Sequence, residues 1–192
     1  RNRFMQKKIP YIYYFIDEYN IDELTNLEKN IHIIFRNYQK DLNPNVIESI
    51  KIFCRKTKRK FYISNNIKLA LRLKIDGVYI PSFNKSINFV TKYSLPIKFE
   101  ILGSAHNVNE IKIKRLQGCS KIFLSPLFKT PKSKKFLQIY KFNLIKLSTK
   151  SNFIALGGIN ELNYKKLKLL KIIGFAGINW IKKNGLRKLR PF

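Results

Sequence analysis

The chain has 192 residues, of which 45% are hydrophobic, 14% aromatic and 26% charged. This composition is typical of one globular domain and excludes a disordered chain. The formal net charge of +28 would suit a nucleic-acid or membrane-binding protein, but the lysines are spread along the whole chain rather than gathered in one stripe. The chain is also rich in Lys, Asn and Ile, which AT-rich codons encode. We therefore expect no specific nucleic-acid partner and no membrane.

Short apolar runs alternate with helical patterns along the chain. Their spacing of about two dozen residues predicts a parallel sheet. The runs number eight: Tyr11–Asp17, Ile31–Arg36, Phe61–Asn65, Gly77–Pro81, Phe99–His106, Ile122–Phe128, Phe153–Gly158 and Phe175–Ile181. Eight such units predict an α/β protein, a single-domain (β/α)8 TIM barrel. An open doubly wound sheet is the alternative, although no Gly-x-Gly-x-x-Gly follows the first run.

Two of the helical patterns have informative boundaries. Pro44 precedes Asn45–Arg55 and is suited to the first turn of a helix. Leu162–Ile173 repeats apolar residues at steps of three and four, with lysines on the other face, and predicts a helix before the last strand. We expect one domain over 1–192, with peripheral tails at 1–10 and 183–192.

The amino-terminal segment and the two cysteines predict a cytoplasmic protein. The basic segment Arg1–Lys8 is followed by an apolar stretch that contains Pro10 and lacks a small-residue cleavage site, so a secretory leader is not expected. Cys54 and Cys119 both lie beside apolar runs and are expected to be reduced, buried thiols.

Polar residues and glycines follow nearly every predicted strand. The carboxyl ends of barrel strands form one face, where working residues lie, although exposure alone explains part of the polarity. The candidates are Asp17, Arg36, Asn65, Asn66, Ser82, Asn84, Ser104, His106, Ser125, Thr130 to Lys135, Gly157, Gly158, Ile178 and Asn179.

Three of these strand ends suggest specific chemistry. Gly157 and Gly158 stop a buried strand before Asn160, which predicts close backbone approach and an anion site at a helix start, or else a simple tight turn. The segment with Thr130, Lys132 and Lys134 is dense in hydroxyls and cations; it either closes over a diphosphate or is a solvated basic turn. His106 is placed to transfer protons near pH 7, or is structural.

Several of these segments occur in the order found in one known family. They are Tyr13–Asp17, Ile63–Asn66, Asp76–Ile80, Gly103–Asn107, Ser125–Thr130 and Leu156–Ile159. Together they resemble the thiamine phosphate synthase and TenI family, over about Tyr11 to Ile181. The resemblance implies coupling of a thiazole phosphate with an aminopyrimidine methyl diphosphate, by a dissociative substitution with Mg2+ that releases pyrophosphate. These thiamine precursors are the implied partners, and a homo-oligomer is compatible with the sequence.

The resemblance also implies roles for individual residues. Gly157, Gly158, Ile178 and Asn179 would hold the thiazole phosphate. Arg36, Asn65 and a lysine of the 132–135 segment would hold the diphosphate, with Thr130 nearby. Ser104 would face the pyrimidine, and His106 matches a histidine with which some TenI proteins tautomerise the thiazole ring.

The sequence departs from the family in the diphosphate part of the expected site. Where the family usually has Gln-Leu-Arg-Glu-Lys, this chain has Ile34–Tyr38 and keeps only Arg36. The two aspartates that hold Mg2+ appear as Asn66 and Asn84, and neutral amides should weaken a magnesium site. A synthase, a TenI-type tautomerase and a non-catalytic barrel that binds a phosphate ligand or nucleic acid therefore remain three readings.

Overall fold

The computed structural model describes residues 11–38, 42–131 and 133–177. Its strands are β1 (Tyr11–Ile16), β2 (Ile31–Phe35), β3 (Phe61–Ser64), β4 (Gly77–Ile80), β5 (Glu100–Ala105), β6 (Lys121–Leu124), β7 (Phe153–Leu156) and β8 (Gly174–Gly177). Neighbouring strands pair in parallel, and β8 pairs with β1, which closes the barrel. The predicted TIM barrel is confirmed, and the open sheet is excluded.

Helices alternate with the strands around the outside. They are α1 (Ile21–Thr25), α2 (Pro44–Lys56), α3 (Ile67–Arg72), α4 (Asn88–Thr91), α5 (Val108–Leu116) and α6 (Gln138–Thr149), followed by a 3₁₀ helix at Tyr164–Leu169. Pro44 opens α2 as predicted, behind the capping residue Asn43. Within the described ranges, no helix combines the length and apolar character that crossing a membrane requires.

The inside of the barrel is filled with aromatic rings. Side chains alternate between the two faces of each strand, so every second residue points inward. Phe123 packs edge-on against Tyr13, Phe15 and Tyr79, with ring centroids 5.0, 5.8 and 5.5 Å apart. These rings exclude a channel through the barrel. A ligand can therefore enter only from an end.

The predicted helix over Leu162–Ile173 is shorter than expected. The Asn160 side chain accepts hydrogen bonds from the backbone N–H groups of Leu162 and Asn163, which closes a turn before any helix starts. The 3₁₀ helix then ends at Leu169, because the chain must extend to enter β8 at Gly174. Leu162 is 92% exposed, whereas Leu167 and Leu170 are buried, so the apolar pattern marks a buried face only from Leu167 onward.

The predicted sixth strand was too long at its carboxyl end. β6 stops at Leu124, and the following segment turns toward β7, where Leu127 and Phe128 donate backbone hydrogen bonds to Leu156 and Gly157. The two cysteines are free, as expected, with Cys54 buried and Cys119 half-buried. The tails expected at 1–10 and 183–192 lie outside the described residues.

Candidate functional site

The carboxyl ends of the strands form one opening, which we call the mouth. Its floor is polar, because the inward positions that end the strands carry Ser64, Ser104 and Ser125, all less than 10% exposed. Below this floor lie the aromatic rings of the barrel interior. The sequence-predicted residues that follow β2 to β7 and are described by the structure therefore lie at one end of the barrel, as the carboxyl ends of parallel strands must.

Arg36 and Ser104 lie near Tyr79, close enough to affect the pKa of its hydroxyl group. The Arg36 guanidinium lies 4.7 Å from the centroid of the Phe15 ring, a cation–π contact that fixes its position. Burial raises the pKa of Tyr79 to about 12, and the nearby Ser104 hydroxyl and Arg36 guanidinium oppose this rise. At neutral pH the Tyr79 hydroxyl is therefore a neutral hydrogen-bonding group between a cation and a serine.

Asn65 and Asn84 are joined directly. The Asn84 amide nitrogen donates to Asn65 Oδ1 at 2.7 Å, and the Asn84 amide oxygen accepts from the backbone N–H of Ser86 at 3.1 Å. Asn66 caps α3, since its side-chain oxygen accepts from the backbone N–H of Leu69 at 3.0 Å. Both asparagines that stand at the family's metal positions thus use their oxygens locally.

These residues do not fit a magnesium ion. Mg2+ prefers carboxylate and phosphate oxygens in near-octahedral geometry, whereas the amide oxygens of Asn66 and Asn84 are already bound to backbone N–H groups. Among the described residues there is also no group of three His, Cys, Asp or Glu side chains that could hold a metal ion.

His106 stands at the end of β5 between two serines. Its Nδ1 lies 2.8 Å from the Ser125 carbonyl oxygen, and its Nε2 lies 3.1 Å from Ser82 Oγ. A carbonyl only accepts hydrogen bonds, so Nδ1 carries the proton in neutral His106 and Nε2 is the basic nitrogen. Glu110 Oε2 accepts from the His106 backbone N–H at 2.8 Å. This arrangement suits proton transfer through Nε2, with Ser82 as hydrogen-bond donor.

Gly157 and Gly158 form a close approach between β7 and the segment after β6. Their φ angles are +95° and +70°, which favour glycine. A Cβ at Gly158 would lie 2.5 Å from the Lys129 carbonyl oxygen and 2.6 Å from that of Phe128. Neither Gly158 nor Ile159 donates a backbone hydrogen bond within the described part of the chain. These amides are the groups that an anion would need here.

The basic segment after β6 is a compact turn. Thr130 pairs with Ser133, whose backbone N–H donates to the Thr130 hydroxyl at 3.1 Å. Lys134 is exposed. Lys132, Ile178 and Asn179, which the resemblance places at the diphosphate and the thiazole phosphate, lie outside the described residues.

Sequence reasoning missed several side chains of the mouth. The sequence indicates Tyr79 only as part of a buried strand. Its inward position near the carboxyl end of that strand, two residues before Pro81, was the signal that it lies close to the mouth. Tyr38 and Phe83 carry no sequence signal that links them, because they follow different strands. Lys114 was also missed: it is fully buried on α5 and donates to the carbonyl oxygens of Pro81 and Asn84 at 2.8 and 2.7 Å. A lysine between the apolar positions of a helix was its only sequence signal.

Comparison with known proteins shows similarity to thiamine enzymes. The model of the thiamine monophosphate synthase family matches residues 28–181. Thiamine-phosphate synthase of Prochlorococcus marinus is 35% identical over 132 residues, which are 67% of this chain and 37% of that protein. Thiamine-phosphate synthase of Helicobacter pylori is 32% identical over 136 residues, 66% of this chain and 61% of that protein. The chain thus spans less than two thirds of these relatives' lengths.

Solved structures show the same fold. Thiamine phosphate pyrophosphorylase from Pyrococcus furiosus superposes with a TM-score of 0.73, 18% identity and coverage of 94% of this chain and 91% of that one. KGPDC from Streptococcus mutans superposes with a TM-score of 0.69 at 11% identity, covering 92% of each chain. At these identities the superpositions establish only the barrel fold. The chemistry must be argued from the residues of the site.

Proposed function

The chain belongs to the thiamine monophosphate synthase family, and on that premise we propose that it couples a thiazole phosphate with an aminopyrimidine methyl diphosphate to form thiamine phosphate. The observation that supports the proposal is that Arg36, 4.7 Å from the centroid of the Phe15 ring, and the buried Ser104 lie together at the floor of the mouth beside Tyr79. By resemblance, Arg36 would hold the leaving diphosphate and Ser104 would face the pyrimidine, so a cation and a hydroxyl group side by side suit this reaction.

In this reaction the bond between the pyrimidine methylene carbon and the diphosphate oxygen breaks, and pyrophosphate leaves with the electron pair. The thiazole nitrogen then bonds to the methylene carbon. Arg36 stabilises the negative charge that develops on the leaving group, while Ser104 orients the pyrimidine. The backbone N–H groups of Gly158 and Ile159, which donate to no other described backbone group, hold the thiazole phosphate. Because Asn66 and Asn84 do not fit a metal ion, the diphosphate charge falls to Arg36 and to lysines such as Lys134.

The direct test is to mix the purified protein with both substrates and assay for thiamine phosphate while Mg2+ is varied. Removing one preorganised charge from a developing anion costs about 100- to 1,000-fold in rate, so Arg36→Ala should lower kcat/KM by that factor. Arg55→Ala is the matched control, since Arg55 lies on α2 and reaches the Lys74 carbonyl instead of the mouth. Equal turnover in the Arg36 and Arg55 variants would rule out this role for Arg36.

A second candidate is a TenI-type tautomerase, which the hydrogen bonds of His106 favour. A tautomerase moves a proton between two positions of the thiazole ring, and Nε2 of His106 is a basic nitrogen held in place from both sides. Such a reaction uses neither a metal ion nor Arg36.

The two candidates respond oppositely to two substitutions. His106→Asn should remove most tautomerase activity, because an amide cannot accept a proton from the ring, and should leave synthase turnover within a few-fold. Arg36→Ala should do the reverse. If His106→Asn abolishes synthase turnover as well, the histidine serves the coupling reaction and the two roles are not separable.

The proposal also covers the partners, the cellular compartment and the residues that are assigned only by resemblance. The proposed partners are the small-molecule thiamine precursors, and the proposed compartment is the cytoplasm. Lys132, Ile178 and Asn179 are assigned to the substrates by resemblance, and Thr130 shapes the turn that carries Lys134.

A further inference from the structure

Two exposed aromatic side chains stand together at the rim of the mouth. Tyr38 follows β2 and is 50% exposed, and Phe83 follows β4 and is 60% exposed. Their ring centroids lie 5.4 Å apart at an interplanar angle of 78°, an edge-to-face contact. The Tyr38 hydroxyl lies 2.8 Å from Ser64 Oγ at the end of β3. We call Tyr38 and Phe83 the aromatic pair.

The aromatic pair is anchored rather than loosely placed on the surface. The bond between Tyr38 and Ser64 ties it to the floor, because Ser64 is a buried inward residue. Tyr38 also lies close enough to Tyr79 to raise the pKa of Tyr79 electrostatically. Phe83 directly precedes Asn84, whose amide is bonded to Asn65. Aromatic surface, hydroxyl groups and neutral amides therefore surround this part of the mouth, and Arg36 is a charged group near Tyr38.

This set of groups suits an uncharged planar ring better than a diphosphate. Tyr38 stands where the resembled family carries a lysine, so a cation that would neutralise phosphate is replaced by an aromatic face. Rings stack on such faces or meet them edge-on. The Asn65 amide matches the ring nitrogen and exocyclic amine of an aminopyrimidine, as an asparagine matches the same edge of adenine. The bond from Asn84 uses only one lone pair of Asn65 Oδ1 and none of the Asn65 N–H groups.

We propose that the aromatic pair binds the aminopyrimidine ring, so that the ring rather than the diphosphate determines the affinity for this substrate. The proposal rests on the proposed function for the identity of the ring. It makes Tyr38 and Phe83 specificity-determining residues, selecting a planar heteroaromatic ring with an amine. The diphosphate is then held for reaction by Arg36 and contributes little to selection.

The test separates the two parts of the substrate. Calorimetry measures Kd for the neutral hydroxymethyl aminopyrimidine and, separately, for inorganic pyrophosphate, without thiazole phosphate or Mg2+. Since base–aromatic stacking is worth about 5- to 150-fold in affinity per ring, Tyr38→Leu combined with Phe83→Leu should weaken the neutral pyrimidine about tenfold or more. Pyrophosphate binding should stay within about twofold of the wild type.

Three further variants make the result specific. Tyr38→Phe keeps the ring and loses only the Ser64 bond, so pyrimidine binding should fall by about threefold or less. Tyr38→Lys should weaken the pyrimidine and strengthen pyrophosphate about tenfold by adding a cation. Tyr140→Leu is the matched control, because Tyr140 is 72% exposed on α6, away from the mouth, and should change neither Kd.

Either of two results overturns the proposal. One is a neutral pyrimidine that does not bind the wild type; the other is a double variant that binds it with unchanged Kd. Because binding is measured without turnover, a protein that lacks synthase activity still gives a valid answer. Conversely, if the aromatic pair fails this test while thiamine phosphate forms, the proposed function stands and only the role of the pair is wrong.

Discussion

The two halves of the mouth are built differently. The β2–β4 half carries Asn65, Asn66 and Asn84, whose amides bond to one another or to nearby backbone, together with the exposed Tyr38 and Phe83. The β5–β7 half carries His106, held at both ring nitrogens, and the two glycines at which backbones meet closely. The first half has lost charged groups that the resembled family places there, whereas the second retains the family's glycines and histidine.

This difference shows how unequally a site tolerates change. The close backbone approach at Gly157 and Gly158 requires positive φ angles and tight packing, so almost any substitution there strains the backbone. A charged half made of side chains can exchange aspartate for asparagine, or lysine for tyrosine, without altering the barrel. Backbone geometry therefore limits which residues the β5–β7 half can carry, whereas the barrel fold allows the side chains of the β2–β4 half to change.

The largest expected effect tests the rigidity of the β5–β7 half. Gly158→Ala should lower the free energy of unfolding by about 3 kcal/mol or more, since the residue has φ +70° and its Cβ would meet two backbone carbonyl oxygens. Gly118→Ala is the matched control: its φ is +78°, but its Cβ would meet only the end of the Ile101 side chain at 3.5 Å. It should cost about 1 kcal/mol. Urea unfolding of both variants measures the difference, and equal costs would show that the close approach is not rigid.

A second prediction concerns His32, which lies at the end of the barrel opposite the mouth. Burial, with Lys60 nearby, lowers the pKa of His32 from 6.5 to about 4, and His32 Nδ1 accepts the Lys60 backbone N–H at 3.3 Å. A depressed folded-state pKa means that stability is present above pH 6.5 and is lost as the pH falls toward 4. The loss attributable to His32 should be about 3 kcal/mol.

The measurement compares urea unfolding at pH 7 and pH 4 for the wild type and His32→Gln. Glutamine does not titrate, so its free energy of unfolding should fall less between the two pH values. The carboxyl groups titrate equally in both proteins and cancel in the difference. If the two proteins lose the same free energy, His32 is not held neutral by burial.

A third prediction tests the asparagine contact in the β2–β4 half. Asn84→Asp replaces the donor to Asn65 Oδ1 with a carboxylate oxygen facing that oxygen at 2.7 Å. The loss of the hydrogen bond and the repulsion should cost about 1–2 kcal/mol. Asn84→Ala, which removes the contact without adding charge, should cost less. Thermal unfolding in EDTA measures both, and equal melting temperatures for Asn84→Asp and the wild type would contradict the expected repulsion.

The smallest expected effect concerns the cap of α3. Asn66→Asp keeps a side-chain oxygen for the Leu69 backbone N–H, so stability should change by about 0.5 kcal/mol or less, whereas Asn66→Ala should lose about 1 kcal/mol. Combining Asn66→Asp with Asn84→Asp restores two carboxylates. Addition of Mg2+ should then raise the melting temperature of the double variant and not that of the wild type. An equal rise in both would mean that the amides already suffice for the metal.

The barrel could be predicted from the sequence, because eight apolar runs alternate with helical patterns. This alternation indicates a parallel sheet, and few topologies accommodate eight such units. The carboxyl-end rule then placed Arg36, Asn65, Ser104, His106 and Gly157 at one mouth before any contact was known. The pattern failed at Leu162–Ile173, where periodicity indicated a helix but Asn160 closed a turn that used the first backbone N–H groups.

What the sequence determined by itself was the strand order, the identity of the strand-end residues and the replacement of aspartates by Asn66 and Asn84. Only the tertiary structure decided how these residues are used. Whether an asparagine oxygen is open to a ligand depends on the N–H group that lies beside it, and whether Tyr38 is a lone surface ring depends on Phe83, 45 positions away in the chain. Local periodicity specifies which face a side chain takes, but contacts between loops arise only when the closed barrel brings the strand ends together.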